Sequence, residues 1–318
     1  MFKNDRHNGD GFGAAGSASE IDARIDVFLG RTSPVESQIF VRLRNPVGEE
    51  ILEGFVRGPF CRYASTLPVN YPLRPSPDLL GDVMAWVVIP EPCFWTPDMP
   101  QTYELHLKFP QHATRPRVLG IRSLGARGRD LVFSGQRWVL RGVRSAAIES
   151  ANLAEWREAG AAMVVNEPSD ALCKEASHVG VVLVAMLPED APRPLETLWR
   201  LNRWPSVAVT AFGASTPTAA ALDDDAGQAH VVPHQIMGTI IPQQVLADGA
   251  FSPPMALNVV LVEVDRPETF AESIANVSQP VIAMRTGAAG LSLAEARRAC
   301  DTLQKDLAPG ADCAGYVV

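Results

Sequence analysis

In the first third of the chain, hydrophobic and polar residues alternate with a period of two. The alternation is clearest over Thr102–Phe109, where every second side chain from Tyr103 to Phe109 falls on one face. Such alternation is typical of strands with one buried face. Residues 25–29, 38–43 and 84–89 follow the same pattern and are separated by turn-forming clusters. Short strands at this spacing, without a helical stretch, predict an antiparallel β-sandwich.

From about residue 138 the pattern changes to apolar runs that alternate with helical periodicity, which indicates parallel βα units. Ser292 and Glu295 have the spacing of a capping box that opens a helix ending at Leu307. Helices are also predicted over 153–159, 169–178 and 195–204. Eight strands are predicted, at residues 139–143, 163–165, 181–187, 207–212, 230–232 (the weakest), 256–262, 281–284 and 314–318.

Eight strands in about 180 residues make a short barrel, because a typical (β/α)8 barrel takes roughly 250 residues. No sequence is left for an eighth helix, so whether the barrel closes stays open. An uncovered seam between the first and last strands would expose apolar surface to water. We therefore expect a homodimer that covers the seam.

Residues 93–143 carry the most specific motifs of the chain. Phe-Trp-Thr-Pro-Asp-Met-Pro begins at residue 94, Gly-Ile-Arg at 120, Phe-Ser-Gly-Gln-Arg at 133 and Leu-Arg-Gly-Val at 140. This stretch resembles the hinge of glycoside hydrolase family 2, where an immunoglobulin-like sandwich leads into a catalytic (β/α)8 barrel. The resemblance implies a multidomain β and α/β protein. Its expected parts are an immunoglobulin-like β-sandwich over 21–134 and a short TIM-type barrel, complete or incomplete, over 135–318. Residues 1–20, which are rich in Gly, Asn, Asp and Ser, are expected to form a disordered tail.

The resemblance also implies where catalytic carboxylates would lie. The family has its acid/base in an Asn-Glu pair ending the fourth strand and its nucleophilic Glu at the end of the seventh. Here those strands end in Ala-Phe-Gly at 211–213 and Met-Arg-Thr at 284–286. The family's Gly-Val-Asn-x-His after the first strand is replaced by Gly-Val-Arg-Ser-Ala from residue 142. We therefore expect a non-hydrolytic relative, a binding or scaffold module with a carbohydrate as its ligand.

An active glycoside hydrolase with relocated carboxylates is the alternative. Asn166-Glu167-Pro168 resembles the acid/base motif of related barrel glycosidases, with Asn166 as a substrate contact, but it follows the second strand. The same residues also fit an ordinary helix start. Glu263, after the sixth strand, is the candidate partner of Glu167. Strands two and six lie on opposite sides of a barrel, and that separation suits an inverting pair.

A third hypothesis is a barrel enzyme that acts on an anionic substrate through Arg285 and His234. The guanidinium of Arg285 suits a carboxylate or phosphate, and it could equally pair with Glu263 or Asp265 at neighbouring strand ends. His234 could equally be a solvated loop residue. Trp95 has two interpretations as well, a platform for stacking sugars or a plug at the base of the sandwich.

Composition limits the other classes of function. The net charge of −8, with Lys and Arg scattered singly, argues against a nucleic-acid partner. The apolar runs are too short to cross a membrane. No spacing suggests a metal site, and no cofactor is expected. The first twenty residues lack the apolar core of a signal peptide, so a cytoplasmic location is expected. Free and mostly buried thiols are predicted for Cys61, Cys93, Cys173, Cys300 and Cys313.

Overall fold

The computed structural model describes residues 24–46, 52–76, 83–109, 112–113, 115–144, 152–188, 194–213, 234–249, 257–286 and 290–318. The tail predicted over residues 1–20 and the weak strand predicted over 230–232 lie outside these residues.

Two antiparallel sheets form the first part of the chain. The first sheet has the order β1-β2-β6-β5, and the second has the order β4-β3-β7-β8, with β9 also paired to β7. The nine strands are β1 (Ile25–Thr32), β2 (Glu36–Leu43), β3 (Glu53–Phe60), β4 (Val69–Pro72), β5 (Arg74–Ser76), β6 (Val83–Pro90), β7 (Thr102–Phe109), β8 (His112–Ala113) and β9 (Arg117–Leu119).

The two sheets enclose one apolar core, as the alternating pattern predicts. In β2 the buried residues Ile39, Val41 and Leu43 alternate with partly exposed ones. They join a single cluster with Val56 of β3 and Leu105 of β7, which belong to the other sheet. The N-terminal part is therefore a β-sandwich, because both sheets contribute their inner faces to the same core.

A three-stranded sheet follows, made of β10 (Leu124–Arg127), β11 (Asp130–Phe133) and β12 (Gln136–Trp138). Ser134 and Gly135 join the last two strands with φ of 51° and 79°, the positive values that a type I′ hairpin turn requires. The domain boundary predicted after residue 134 falls inside this turn and stays a prediction.

Eight parallel strands then close into a complete barrel in simple sequence order. Closure rests on the pairing of the first strand with the last, in which Leu140 lies opposite Gly315 and Gly142 opposite Val317. The fifth strand of the closed barrel lies at 236–242. The barrel strands are β13 (Leu140–Arg144), β14 (Ala162–Asn166), β15 (Leu183–Leu187), β16 (Val207–Gly213), β17 (Ile236–Pro242), β18 (Val259–Glu263), β19 (Val281–Met284) and β20 (Gly315–Val317).

Six α-helices are present in the described part of the chain. Gly180 ends the second helix in the left-handed conformation, and the capping box of Ser292 with Glu295 opens the last one, both as the sequence predicts. A short 3-10 turn covers Pro267–Thr269. The helices are α1 (Leu153–Glu158), α2 (Asp170–Val179), α3 (Pro194–Asn202), α4 (Gln243–Ala247), α5 (Phe270–Ser273) and α6 (Leu293–Leu307). None of them has the length and apolar character needed to cross a membrane.

Helix α6 covers the seam between β20 and β13. The thiol of Cys300 donates to the backbone oxygen of Gly142 over 3.2 Å, and the guanidinium of Arg141 binds the Asp301 carboxylate over 3.1 Å. The seam is therefore covered from within the chain. The expected homodimer loses the argument that supported it, and the oligomeric state stays a prediction.

Trp95 seals the amino-terminal end of the barrel. Its side chain is 1% exposed and belongs to the cluster that fills the barrel interior, together with Leu124 and Leu131 of the three-stranded sheet. Its indole nitrogen donates to the backbone oxygen of Ser177 in α2. Trp95 is thus a plug and not a stacking platform, and what it closes is the floor of the barrel.

Candidate functional site

Strand alternation assigns each residue at the carboxyl end of the barrel to one side of its wall. In β14, Ala162 and Val164 belong to the interior cluster, whereas Met163 and Val165 belong to the cluster between strands and helices. By the same alternation, Asn166 continues the row of residues that faces the barrel interior (the inner row), and Glu167 continues the row that faces the helices (the outer row). The same count places Glu263 of β18 and Arg144 of β13 in inner rows.

The inner rows bring three polar side chains, those of Arg144, Asn166 and Glu263, to the carboxyl end of the barrel. These three residues are called the mouth rim. Arg144 and Asn166 are exposed and Glu263 is half-buried. Arg144 and Asn166 are on adjacent strands, and Glu263 is four strands away from Asn166 in the closed order. In the sequence, Arg144 is noticed only as a departure from the family motif. Nothing in the sequence shows that it lies at the mouth with Asn166 and Glu263.

Glu167 departs from the wall of the barrel. Its φ of 40° is unusual for a residue with a side chain, and its amide donates to the backbone oxygen of Met186. The side chain is exposed and lines a groove beside the barrel. Glu263 does not line that groove. A catalytic role for either carboxylate stays a prediction.

The helix start predicted at this point is confirmed, and it uses the residues after Glu167. The hydroxyl of Ser169 accepts from the amide of Leu172 and caps α2. The Asp170 carboxylate accepts hydrogen bonds from Arg200 at 3.0 Å and from Arg203 at 2.5 Å. The Glu167 carboxylate therefore does not cap the helix.

Gln243, which sequence reasoning missed, fixes the loop that follows Glu263. Its buried amide oxygen accepts from the backbone amides of Asp265 and Arg266, at 3.0 and 2.9 Å. Its amide nitrogen donates to the Arg266 carbonyl over 2.9 Å and lies 3.2 Å from both the Thr269 and the Ser273 hydroxyl. A glutamine after a strand carries no sequence signal for this role, because its partners are more than twenty residues away.

Arg285 lies on the outer side of the barrel wall. Val281 and Ala283 belong to the outer cluster, so Arg285 continues the outer row. Its guanidinium binds the Asp306 carboxylate of α6 over 3.1 Å. The pairing with Glu263 or Asp265 that the sequence suggested is therefore wrong, because those residues follow the neighbouring strand and the acid that Arg285 meets comes from the helix.

His234 lies at the opposite end of the barrel from Arg285, because His234 precedes β17 whereas Arg285 follows β19. Its ring nitrogen Nε2 lies 3.2 Å from the backbone oxygen of Gly30 in the sandwich. Burial lowers the pKa of the imidazole, and the nearby Arg122 guanidinium lowers it further. The structure therefore does not bring His234 and Arg285 together.

Arg122, the last residue of the Gly-Ile-Arg motif, joins the sandwich to the barrel. Its side chain is buried, and its Nη1 donates to the backbone oxygens of Trp204, Pro205 and Val207. Its Nε donates to the backbone oxygen of His234 over 2.9 Å. Burial lowers the pKa of this guanidinium to about 10. Arg122 therefore fixes the orientation of the sandwich on the floor of the barrel.

The lateral groove is the cleft between the sandwich and helices α2 and α3, with a volume of about 780 Å³. This size falls within the range of small-molecule sites, which often lie at domain interfaces. Its sandwich wall carries Asp26, Arg44, Arg115 and Arg117. Its barrel wall carries Glu167, Asp170, Lys174, Glu196, Arg200 and Arg203. Within the described ranges, no group of three or more His, Cys, Asp or Glu residues is placed to hold a metal ion.

The architecture, a β-sandwich leading into a closed eight-stranded parallel barrel, is similar to that of solved β-glucuronidases, a putative β-galactosidase and a glycosyl hydrolase family 2 member. No protein-family model and no curated protein sequence matches the chain. At 10–12% identity to the solved structures below, the likeness shows the fold alone.

Three solved structures illustrate the likeness. A Bacteroides uniformis β-glucuronidase aligns with TM-score 0.58 and 12% identity over 92% of this chain and 45% of its own. A putative β-galactosidase from Bacteroides fragilis gives 0.59 and 10%, over 93% and 54%. A Bifidobacterium dentium β-glucuronidase complexed with coumarin-3-O-glucuronide gives 0.60 and 11%, over 92% and 59%. The chain thus spans about half the length of these proteins.

Proposed function

We propose that this chain does not hydrolyse glycosides and acts as a carbohydrate-binding or scaffold protein built on a glycosidase fold. One observation carries the proposal. The strand ends that hold the two glutamates in the resembled family, at β16 and β19, carry Ala-Phe-Gly and Met-Arg-Thr. Retaining hydrolysis needs two carboxyl groups about 5 Å apart, and neither of these ends supplies one.

The placement of the remaining candidates supports the same conclusion. The Glu167 side chain lines the lateral groove, whereas Glu263 continues the inner row of a strand four positions away. Hydrolysis by this pair needs both carboxylates at one glycosidic bond, but they lie on different sides of the barrel wall. The third hypothesis needs Arg285 and His234 in one site, and these residues lie at opposite ends of the barrel.

A panel of aryl glycosides, with glucuronides and galactosides included, tests the proposal when assayed at high protein concentration. Glu167→Gln and Glu263→Gln, each prepared in parallel, are the matched controls for contaminating activity. We expect equal background release of the aryl alcohol from all three proteins. Turnover that either single change abolishes would establish the alternative, an active hydrolase with relocated carboxylates. A glycan-binding screen of the same preparation then identifies the ligand.

A further inference from the structure

The lateral groove between the sandwich and helices α2 and α3 has an excess of positive charge in an acidic protein. Six basic and four acidic side chains line it, whereas the whole chain has a net charge of −8. The excess comes from the sandwich wall, where Arg44, Arg115 and Arg117 face a single acid, Asp26. An anion that enters the groove is therefore attracted mainly to that wall.

Two of the six cations are exposed, and the other four are half-buried or buried. Arg200 and Arg203 are occupied by Asp170. Arg115 on the sandwich wall and Lys174 on α2 are exposed, and neither has a carboxylate within 4 Å among the described residues. They approach the groove from opposite walls, so a ligand that spans the cleft meets a positive charge on each side.

Glu167 supplies a second, independent feature of the same groove. Its φ of 40° holds a carboxylate at the end of β14 in a conformation that side chains rarely adopt. That carboxylate has no hydrogen-bond partner in the described part of the chain. A carboxylate acceptor in the same groove as these cations suits a ligand that offers hydroxyl donors along with negative charge.

We propose that the lateral groove binds an acidic oligosaccharide, with Arg115 and Lys174 contacting its carboxylates and Glu167 accepting a hydrogen bond from a hydroxyl. This inference rests on the proposed function and places the carbohydrate beside the barrel, outside its mouth.

Calorimetric titration of the full chain with trigalacturonic acid tests the inference, with neutral maltotriose as the matched ligand. We expect the acidic trisaccharide alone to bind, and to bind more weakly as the salt concentration rises. The double variant Arg115→Gln/Lys174→Gln should weaken binding about tenfold, since each exposed ion pair contributes a few-fold in affinity. Lys305→Gln, which removes an exposed cation of α6 outside the groove, should bind as the parent does.

Several outcomes would overturn the inference. The first is that the acidic trisaccharide does not bind. The second is that maltotriose or succinate binds as tightly as the acidic trisaccharide. The third is that the double variant and Lys305→Gln bind the acidic trisaccharide with equal affinity. A loss confined to Glu263→Gln would place the carbohydrate at the mouth rim, which overturns the groove site and leaves the proposed function intact. Failure of the proposed function has a different readout, the release of aryl alcohol in the hydrolysis assay.

Discussion

The indole nitrogen of Trp95 donates a hydrogen bond to the backbone oxygen of Ser177 across 2.8 Å. The bond links the stiff Pro-rich turn of the sandwich to the last turn of α2. It also holds the indole in place under the barrel interior, where its apolar surface packs against the three-stranded sheet. The amino-terminal end of the barrel is thereby closed, so access to its interior is left to the carboxyl ends of the strands.

Replacing Trp95 with Phe should lower the free energy of unfolding by about 1–3 kcal/mol. The change removes the donor to Ser177 and leaves unfilled volume in a closed site. Urea denaturation followed by circular dichroism measures the loss. Trp86→Phe is the matched control, because Trp86 is only partly buried on the outer face of β6. An equal loss in both variants would contradict the assigned role of Trp95.

Arg122→Lys should lower the free energy of unfolding by about 3 kcal/mol. A lysine keeps the charge, but its single nitrogen cannot reach the four backbone oxygens that the guanidinium serves, and a buried acceptor without a partner costs roughly 1–3 kcal/mol. Guanidinium chloride titration measures the change. Arg129→Lys, which alters an exposed arginine with one backbone contact, should cost far less. Near-equal costs would show that Arg122 is not the junction residue.

The lowered pKa of His234 predicts a stability that depends on pH. The folded protein binds a proton at this ring less readily than the unfolded chain, whose pKa is about 6.5. The unfolded state therefore binds more protons as the pH falls, and stability decreases below about pH 6.5. His234→Asn should flatten this slope, since asparagine tolerates the φ of 64°.

Thermal unfolding between pH 7.5 and 5 tests the effect of His234. Burial lowers the pKa of His178 as well, so His178→Gln is the matched control and some slope should persist in each single variant. A slope that is the same in the parent and in His234→Asn would rule out this histidine as a cause.

The five cysteines should differ sharply in reactivity. Burial raises the pKa of Cys173 and Cys313 to about 12 and that of Cys300 to about 11, so these three thiols lack the reactive thiolate at neutral pH. Cys61 and Cys93 are partly exposed. In the native protein an aromatic disulfide reagent should therefore modify no more than two thiols rapidly, and all five after denaturation. Rapid modification of three or more would show that the inner clusters open.

Local patterns predicted much of this molecule. The alternation over Thr102–Phe109 and the capping box at Ser292 both appear where the sequence places them. Each depends on neighbouring residues only. The fifth barrel strand over 236–242 was not predicted, because it is defined by pairing with β16 and β18, whose residues are distant in the chain.

The candidate site was predicted less well, for a physical reason. Successive residues of a strand face opposite sides of the sheet, so the side on which Glu167 or Arg285 falls depends on where the strand starts and ends. The sequence by itself determined a sandwich followed by parallel βα units, because periodicity and turn chemistry are encoded locally. Only the tertiary structure decided that Arg122 holds the two parts together, that α6 covers the seam and that Glu167 leaves the mouth for the groove. Those outcomes depend on contacts between residues far apart in the chain, which no local pattern contains.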